Sequence, residues 1–301
     1  MKNRATNFGP LEYWIFLPPV ILMLLIVAIH FGGLGTPLFL QLNHISERAG
    51  DFIWIGLTTL GDGLVVCVLL LPFVRRKPEL VWSMVLSWLL VALFVKGIKN
   101  LINVPRPLSV LSAADFHVIG APYRFNSFPS GHAAVAATFA ATFCLFYKQK
   151  WLRALLVVVA LLIGLSRVAM GLHWVTDVLV GFLGGWSLAI LAYPIAAKLR
   201  FGVSPMTQTI IGVILLAAAV RMLFVNHTDY DQAFRLQQAI ALGSLLLTAG
   251  NIYWWRLSAS GSTSDSIGKL TYVISFATAA RSTRADSGSE TCSIAVSVCK
   301  R

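Results

Sequence analysis

Long apolar runs separated by short polar clusters dominate the chain. A helix that crosses a bilayer needs about 20 mostly apolar residues. Eight stretches have that character: 13–32, 53–74, 79–98, 130–147, 151–170, 174–197, 207–225 and 236–255. The pattern predicts an all-α, polytopic transmembrane bundle. The first run follows Lys2 and Arg4, as a signal peptide would. It is too long for the apolar part of one and no small-residue cleavage site follows it, so it reads as an uncleaved anchor. The last two runs carry Arg221, Gln237 and Gln238 near their ends. From about 257 Ser, Thr and Gly take over, which predicts a flexible polar tail. Its apolar piece, 270–280, is too short to cross a membrane.

Composition strengthens this picture. Of 301 residues, 57% are hydrophobic and 12% are charged, against roughly 25% charged in soluble domains. The net charge of +12 would suggest nucleic acid in a soluble protein, but the placement of the cations explains it otherwise. With the N-terminus in the cytoplasm, 16 of the 24 Lys and Arg fall on the cytoplasmic side, in clusters such as Arg75, Arg76 and Lys77. That is the bias expected of inner loops, and no nucleic-acid partner is expected. Cys67 and Cys144 lie in apolar runs and read as packing residues. With Cys292 and Cys299 they show neither metal-ligand spacing nor a disulfide framework.

Three polar clusters fall on the outer side. Lys99 and Arg106–Pro107 follow the third run. Pro129-Ser130-Gly131-His132 opens the fourth. Ser166-Arg167, His173 and Asp177 span the turn between the fifth and sixth. Lys99, Arg106 and Arg167 have no matching run of acids and would suit a phosphate, the arginines through forked contacts and the lysine as a compact charge. Ser130 and Gly131 sit where a helix begins, and free amides there make an anion site. Asp177 lies four residues after His173, on the same helical face. An acid bonded to one ring nitrogen leaves the other free to attack. His132 supplies a second imidazole, suited to protonating a leaving oxygen. No cluster has metal-ligand spacing and no cofactor is expected. The residues point to metal-independent phosphoryl transfer through a phosphohistidine.

Lys99-x6-Arg106-Pro107, Pro129-Ser130-Gly131-His132 and Ser166-Arg167-x5-His173-x3-Asp177 resemble the three signature motifs of the type 2 phosphatidic acid phosphatase superfamily, which includes lipid phosphate phosphatases and is related to vanadium haloperoxidases. All eleven fixed positions match in order and spacing. The resemblance covers about 53–197, with the first run as a sixth core helix. It implies His173 as nucleophile, Asp177 as its orienter and His132 as leaving-group acid. It implies phosphoryl binding by Lys99, Arg106, Ser130, Gly131 and Arg167.

The expected organisation is a phosphatase core over 1–200, two further membrane helices over 201–256 and the tail over 257–301. The expected function is hydrolysis of a lipid phosphate or pyrophosphate: a polyprenyl pyrophosphate, phosphatidic acid, phosphatidylglycerol phosphate or a lipid A-type glycolipid. The expected place is a bacterial plasma membrane, with the active site extracytoplasmic. A phosphotransferase using the same phosphohistidine is the alternative. A transporter would place its polar residues at the midplane, and the apolar composition argues against a haloperoxidase. His30, His44, His117 and His227 read as ordinary polar residues at the ends of spans, and Lys96 as an interfacial anchor. Phe116, Tyr123, Phe125 and Phe128 read either as a lipid entrance or as interfacial aromatics. Asp62, inside the second run, either lines the pocket or accepts a bond from a neighbouring helix. The alanines of 133–141 and Gly181-x3-Gly185 read as close-packing surfaces.

Overall fold

The computed structural model describes residues 13–228 and 230–259. Lys2, Arg4, Cys292, Cys299 and the tail beyond Ala259 lie outside the described residues. Among the described residues the chain is helical, with no strand. The helices are α1 (Tyr13–Phe31), α2 (Gly35–Glu47), α3 (Asp51–Leu60), α4 (Gly63–Leu70), α5 (Pro78–Leu101), α6 (Pro107–Val110), α7 (Gly131–Phe146), α8 (Lys150–Ala169), α9 (Val175–Lys198), α10 (Pro205–Phe224) and α11 (Phe234–Ala259). The chain up to Ile252 forms one compact unit.

All eight apolar segments expected from the sequence are helical. Five of them, α1, α5, α8, α9 and α10, are each long and apolar enough to cross a bilayer. They turn large apolar side chains outward, among them Leu24 on α1, Leu161 on α8 and Ile214 on α10, which is the face a lipid-embedded helix presents. The second run is a sixth span only as a broken one. α3 and α4 meet at a 56° bend, where Gly61-Asp62-Gly63 interrupts the helix. Asp62 therefore does not sit within a helix. It caps α4, its Oδ1 accepting from Leu64 N at 2.8 Å and Val65 N at 3.2 Å. These bonds satisfy amides that a break at this depth would otherwise leave bare.

α7 is 16 residues long, about 24 Å at 1.5 Å per residue and short of a full crossing. It is the central helix, packed against α1, α5, α8 and α9. Its contact with α9 is the most extensive between helices among the described residues. Gly181 lies against Ser130 O, and Gly185 against Ala134 O, so tightly that a Cβ at either would collide with the α7 backbone. Ala133, Ala134 and Ala137 are fully buried on the facing side. Without a hydrophobic drive between helices in lipid, small residues that let backbones approach supply the association.

α2 is absent from the sequence reading. At 13 residues it is too short to span. Phe39, Asn43 and Ser46, at helical spacing, face α8 and α9. Asn43 is buried and uses its whole amide: Nδ2 donates to His117 O at 2.9 Å and Ala169 O at 2.9 Å, while Oδ1 accepts from His117 N at 2.8 Å. One side chain thus ties α2, the 102–130 loop and the last turn of α8 together.

α10 returns against α4. The turn before it lodges Gly202 under the Trp82 ring, where any side chain would clash. α11 is anchored through Asn251, which donates to Pro72 O at 2.9 Å.

Candidate active site

The ends of four helices converge on one cavity. α5 contributes Lys99 in its last turn. Its charge is not taken up by a carboxylate: Nζ donates to the carbonyl of Asn126. The loop that follows runs out and back, closed by Arg106 N to Arg124 O at 2.8 Å and Ser127 N to Val104 O at 2.9 Å. This closure places Arg106. Its Nε donates to Phe125 O at 2.9 Å and Nη1 to Leu172 O at 2.8 Å, and its guanidinium lies 5.3 Å from the centre of the Tyr123 ring. Carbonyl oxygens thus orient both cations without neutralising them. Burial, and then Arg167, pull Arg106 down to about 10, which leaves it charged at neutral pH.

α7 begins at Ser130. Its amide donates to Asp177 O at 3.0 Å, which ties the start of α7 to the first turn of α9. The Ser130 hydroxyl is fully buried and has no hydrogen-bond partner among the described residues. A buried hydroxyl at a helix start, beside free amides and three cations, is chemically completed by an anion. Gly131 and His132 line the cavity itself.

α8 ends with Arg167, buried, whose Nη1 donates to Thr58 Oγ1 of α3 at 2.5 Å. The turn after it carries His173, 2% exposed, followed by Asp177, 1% exposed. His173 Nδ1 lies 3.4 Å from Asp177 Oδ2. The same carboxylate oxygen accepts from Trp174 N at 3.0 Å and from the Ser127 hydroxyl. The ring is held by Nδ1, which leaves Nε2 for chemistry. Burial first, then Arg106, Arg167 and Lys99, hold the His173 imidazole well below its ordinary range. It is therefore neutral, the form that carries a lone pair.

The cavity measures about 310 Å³. It is lined by Lys99, Arg106, Gly131, His132, Arg167 and His173. Ser130 and Asp177 stand behind this lining, joined to it through the contacts above. The structure thus brings all eight residues singled out by sequence to one place. Lys96, read as an anchor, is exposed and not part of the lining.

Of the remaining lining, Asp62 and Tyr123 were candidates for the pocket or its entrance, and Thr58, Thr59, His227, Thr228 and Tyr230 were not foreseen. Thr58, Thr59 and Asp62 come from the α3–α4 break, Tyr123 from the loop, and His227, Thr228 and Tyr230 from the connection between α10 and α11. Asp62 proves to be both a cap and a wall of the cavity. His227, read as an ordinary interfacial histidine, is corrected: its Nε2 lies 3.6 Å from Asp62 Oδ1 within the lining. Phe116 is neither an entrance nor interfacial. It is a core residue, 5% exposed and edge-on to Phe39. Tyr123 and Phe125 are exposed. Ser127 and Asn43 gave no sequence signal, since nothing marks which loop serine folds back onto a carboxylate. Among the described residues no group of three His, Cys, Asp or Glu is placed to hold a metal ion.

The model of the PAP2 superfamily matches residues 80–201. The chain is 26% identical over 191 residues to an undecaprenyl-diphosphatase of Sulfolobus acidocaldarius, across 58% of this chain and 86% of that one. It is 28% identical over 188 residues to a lipid A 1-phosphatase of Rhizobium etli, across 54% of this chain and 79% of that one. Among solved structures it is similar to LpxE of Aquifex aeolicus, with 31% identity and a TM-score of 0.50, over 53% of this chain and 94% of LpxE.

Proposed function

The chain belongs to the PAP2 superfamily and is a membrane phosphatase acting on lipid phosphates, and we propose that it works through a phosphohistidine formed on His173. The observation that carries this is the buried His173–Asp177 pair, opening on a cavity lined by three cations and by His132.

In the first step His173 Nε2 attacks phosphorus, and the bond from phosphorus to the lipid oxygen breaks. His132, which takes up a proton once the bound phosphate offsets the surrounding cations, gives that proton to the oxygen. Lys99, Arg106, Arg167, the Ser130 hydroxyl and the amides at the start of α7 hold the three phosphoryl oxygens as charge shifts onto them. Asp177 stabilises the positive charge that the imidazole gains, at the 3.4 Å seen between them. In the second step His132, now neutral, takes a proton from water, the water oxygen attacks phosphorus, and the bond to nitrogen breaks. Phosphate leaves and both histidines return to their starting forms.

The substrate classes are those of the relatives: a polyprenyl pyrophosphate, as for the undecaprenyl-diphosphatase, or a glycolipid phosphate, as for the lipid A 1-phosphatase. Phosphatidic acid and phosphatidylglycerol phosphate have the same reacting group. The bias of Lys and Arg supports a cytoplasmic N-terminus and a site on the extracytoplasmic face of a bacterial plasma membrane.

The test is phosphate release by the purified chain from a panel of these four lipids, with EDTA throughout, with and without an acceptor lipid, beside His173→Ala. Release by the parent alone, insensitive to EDTA and to acceptor, is expected. Activity abolished by EDTA and restored by magnesium would overturn the metal-independent route. Phosphate passed to the acceptor in place of water would make the enzyme a transferase.

A further inference from the structure

The cavity has two chemically different parts. Once the cations, Gly131 and the two histidines have taken the phosphoryl group, whatever is attached to it meets the rest of the lining. That rest is Tyr123 of the 102–130 loop, Thr58 and Thr59 at the end of α3, Asp62 at the α3–α4 break, and His227, Thr228 and Tyr230 from the connection between α10 and α11. We propose that Asp62, His227, Thr228 and Tyr230 form a leaving-group subsite, and that it selects a hydroxyl-bearing headgroup, a sugar or polyol carrying the phosphate as a monoester, over a second phosphate. The proposal rests on the phosphatase reading above and goes beyond it to the group next to the scissile bond.

Charge is the first argument. A second phosphate would need cations of its own, and this part of the lining holds no lysine or arginine. Asp62 Oδ1 accepts from two α4 amides and faces His227. Among the described residues its Oδ2 has no partner. His227 presents Nε2 to that carboxylate. Its Nδ1 lies 3.3 Å from Arg221 Nη1, and a guanidinium can only donate. Nδ1 thus faces that donor, and Nε2 is the nitrogen nearer Asp62. Arg221 itself is exposed and does not line the cavity. A carboxylate oxygen with open lone pairs beside an imidazole and a threonine hydroxyl matches a neutral headgroup rich in hydroxyls. It repels a neighbouring phosphate.

Construction is the second argument. Asn226, His227 and Thr228 are held in place by α11. Gln237, fully buried, donates to Asn226 Oδ1 at 2.9 Å and Thr228 Oγ1 at 2.8 Å, and accepts from His227 N at 3.1 Å. A buried amide is costly unless every group finds a partner, and here its partners include His227 and Thr228 of the subsite. Gly120 completes the fit. Its φ is +92°, and a Cβ there would strike the Tyr230 ring. A site built to hydrogen-bond a hydroxyl discriminates strongly against an analogue that lacks it.

The experiment compares kcat/KM of the purified full-length chain on a glycolipid 1-phosphate, a polyprenyl pyrophosphate and phosphatidic acid. The proteins are the parent, Asp62→Asn and His227→Ala, each checked by thermal melting in detergent. Asn is itself a good helix cap, so Asp62→Asn removes the charge and keeps α4 capped. The parent is expected to prefer the glycolipid to the pyrophosphate. Asp62→Asn is expected to move that ratio about tenfold toward the pyrophosphate, the scale of one hydrogen bond to a charged group. His227→Ala is expected to lower the glycolipid-to-phosphatidic-acid ratio by about fivefold or more, on the same hydrogen-bond scale. Should Asp62→Asn fail to melt cooperatively, the His227→Ala ratio decides. A parent that prefers the pyrophosphate, or variants that scale all three substrates by one factor, overturn the subsite. A parent that releases phosphate from none of the three overturns the phosphatase reading itself.

Discussion

The Ser127 hydroxyl donates to Asp177 Oδ2, the same carboxylate oxygen that faces His173 Nδ1. Ser127 also lies 3.5 Å from His173 Nδ1. It is fully buried, so a loop residue serves as the third member of the pair that orients the ring. Ser127→Ala leaves nucleophile and carboxylate in place and lets the carboxylate turn. Turnover should fall about ten- to a hundredfold, the worth of one hydrogen bond to a charged group, while a phosphoenzyme still forms. Rapid-quench trapping checks this. Parent-like turnover would assign Ser127 to loop structure alone.

The two histidines should fail at different steps. His173→Ala removes the nucleophile, so no acid-labile phosphoenzyme should be trapped with any substrate. His132→Ala removes the proton donor, a loss on the order of 10²–10⁴-fold with a poor leaving group such as a lipid alkoxide. The loss should shrink with nitrophenyl phosphate, whose leaving group needs no proton. Asp177→Asn should fall between the two. Label trapped on His173→Ala and never on His132→Ala would reverse the assignments.

Arg106→Lys keeps the charge and should still be damaging. Arg106 is held through both Nε and Nη1, to Phe125 O and Leu172 O, and a single ammonium cannot span those two carbonyls and still reach a phosphoryl oxygen. A loss of at least tenfold in kcat/KM is expected, in line with one lost charge-assisted contact. Near-parent kinetics would make Arg106 a structural residue.

The acid limb of kcat/KM should lie below pH 6.5. His173 is held below that value chiefly by burial and then by the neighbouring cations. A depressed value means that the neutral nucleophile survives as pH falls and is lost only on crossing the lower figure. The measurement is a pH profile corrected for the second ionisation of the substrate phosphate. A limb centred above 6.5 would contradict this account.

A cysteine placed in the 108–128 loop should react with an impermeant thiol reagent on intact cells. One placed beside Arg76 should react only after lysis. The opposite labelling would invert the proposed orientation.

The motif residues were legible as a group because each position is fixed relative to its neighbours within a single helix end, and helix ends are where polar residues in an apolar chain stand out. Lys99, Ser130 and Asp177 needed no tertiary knowledge to be singled out. α2 was illegible for the opposite reason. Its buried positions, Phe39, Asn43 and Ser46, mix apolar and polar types, and 13 residues fall below any spanning length. The bend at Asp62 was visible as Gly61-Asp62-Gly63 but not as a break, because the apolar run continues on both sides. His227 was misread since its meaning depends on Asp62, which is 165 positions away in the chain. No local pattern carries a pairing of that range.

Gln237 and the loop it shapes lie beyond residue 201, where the family match ends. On the proposed subsite, chemistry and selectivity lie on separate stretches of this chain. An enzyme sharing every signature residue but lacking the α10–α11 hairpin would share the reaction and not the wall that meets the leaving group. Two such enzymes can be aligned without a gap through their catalytic motifs and still read different lipids. Exchanging the hairpin between them is then a way to move lipid preference without touching the residues that break the bond.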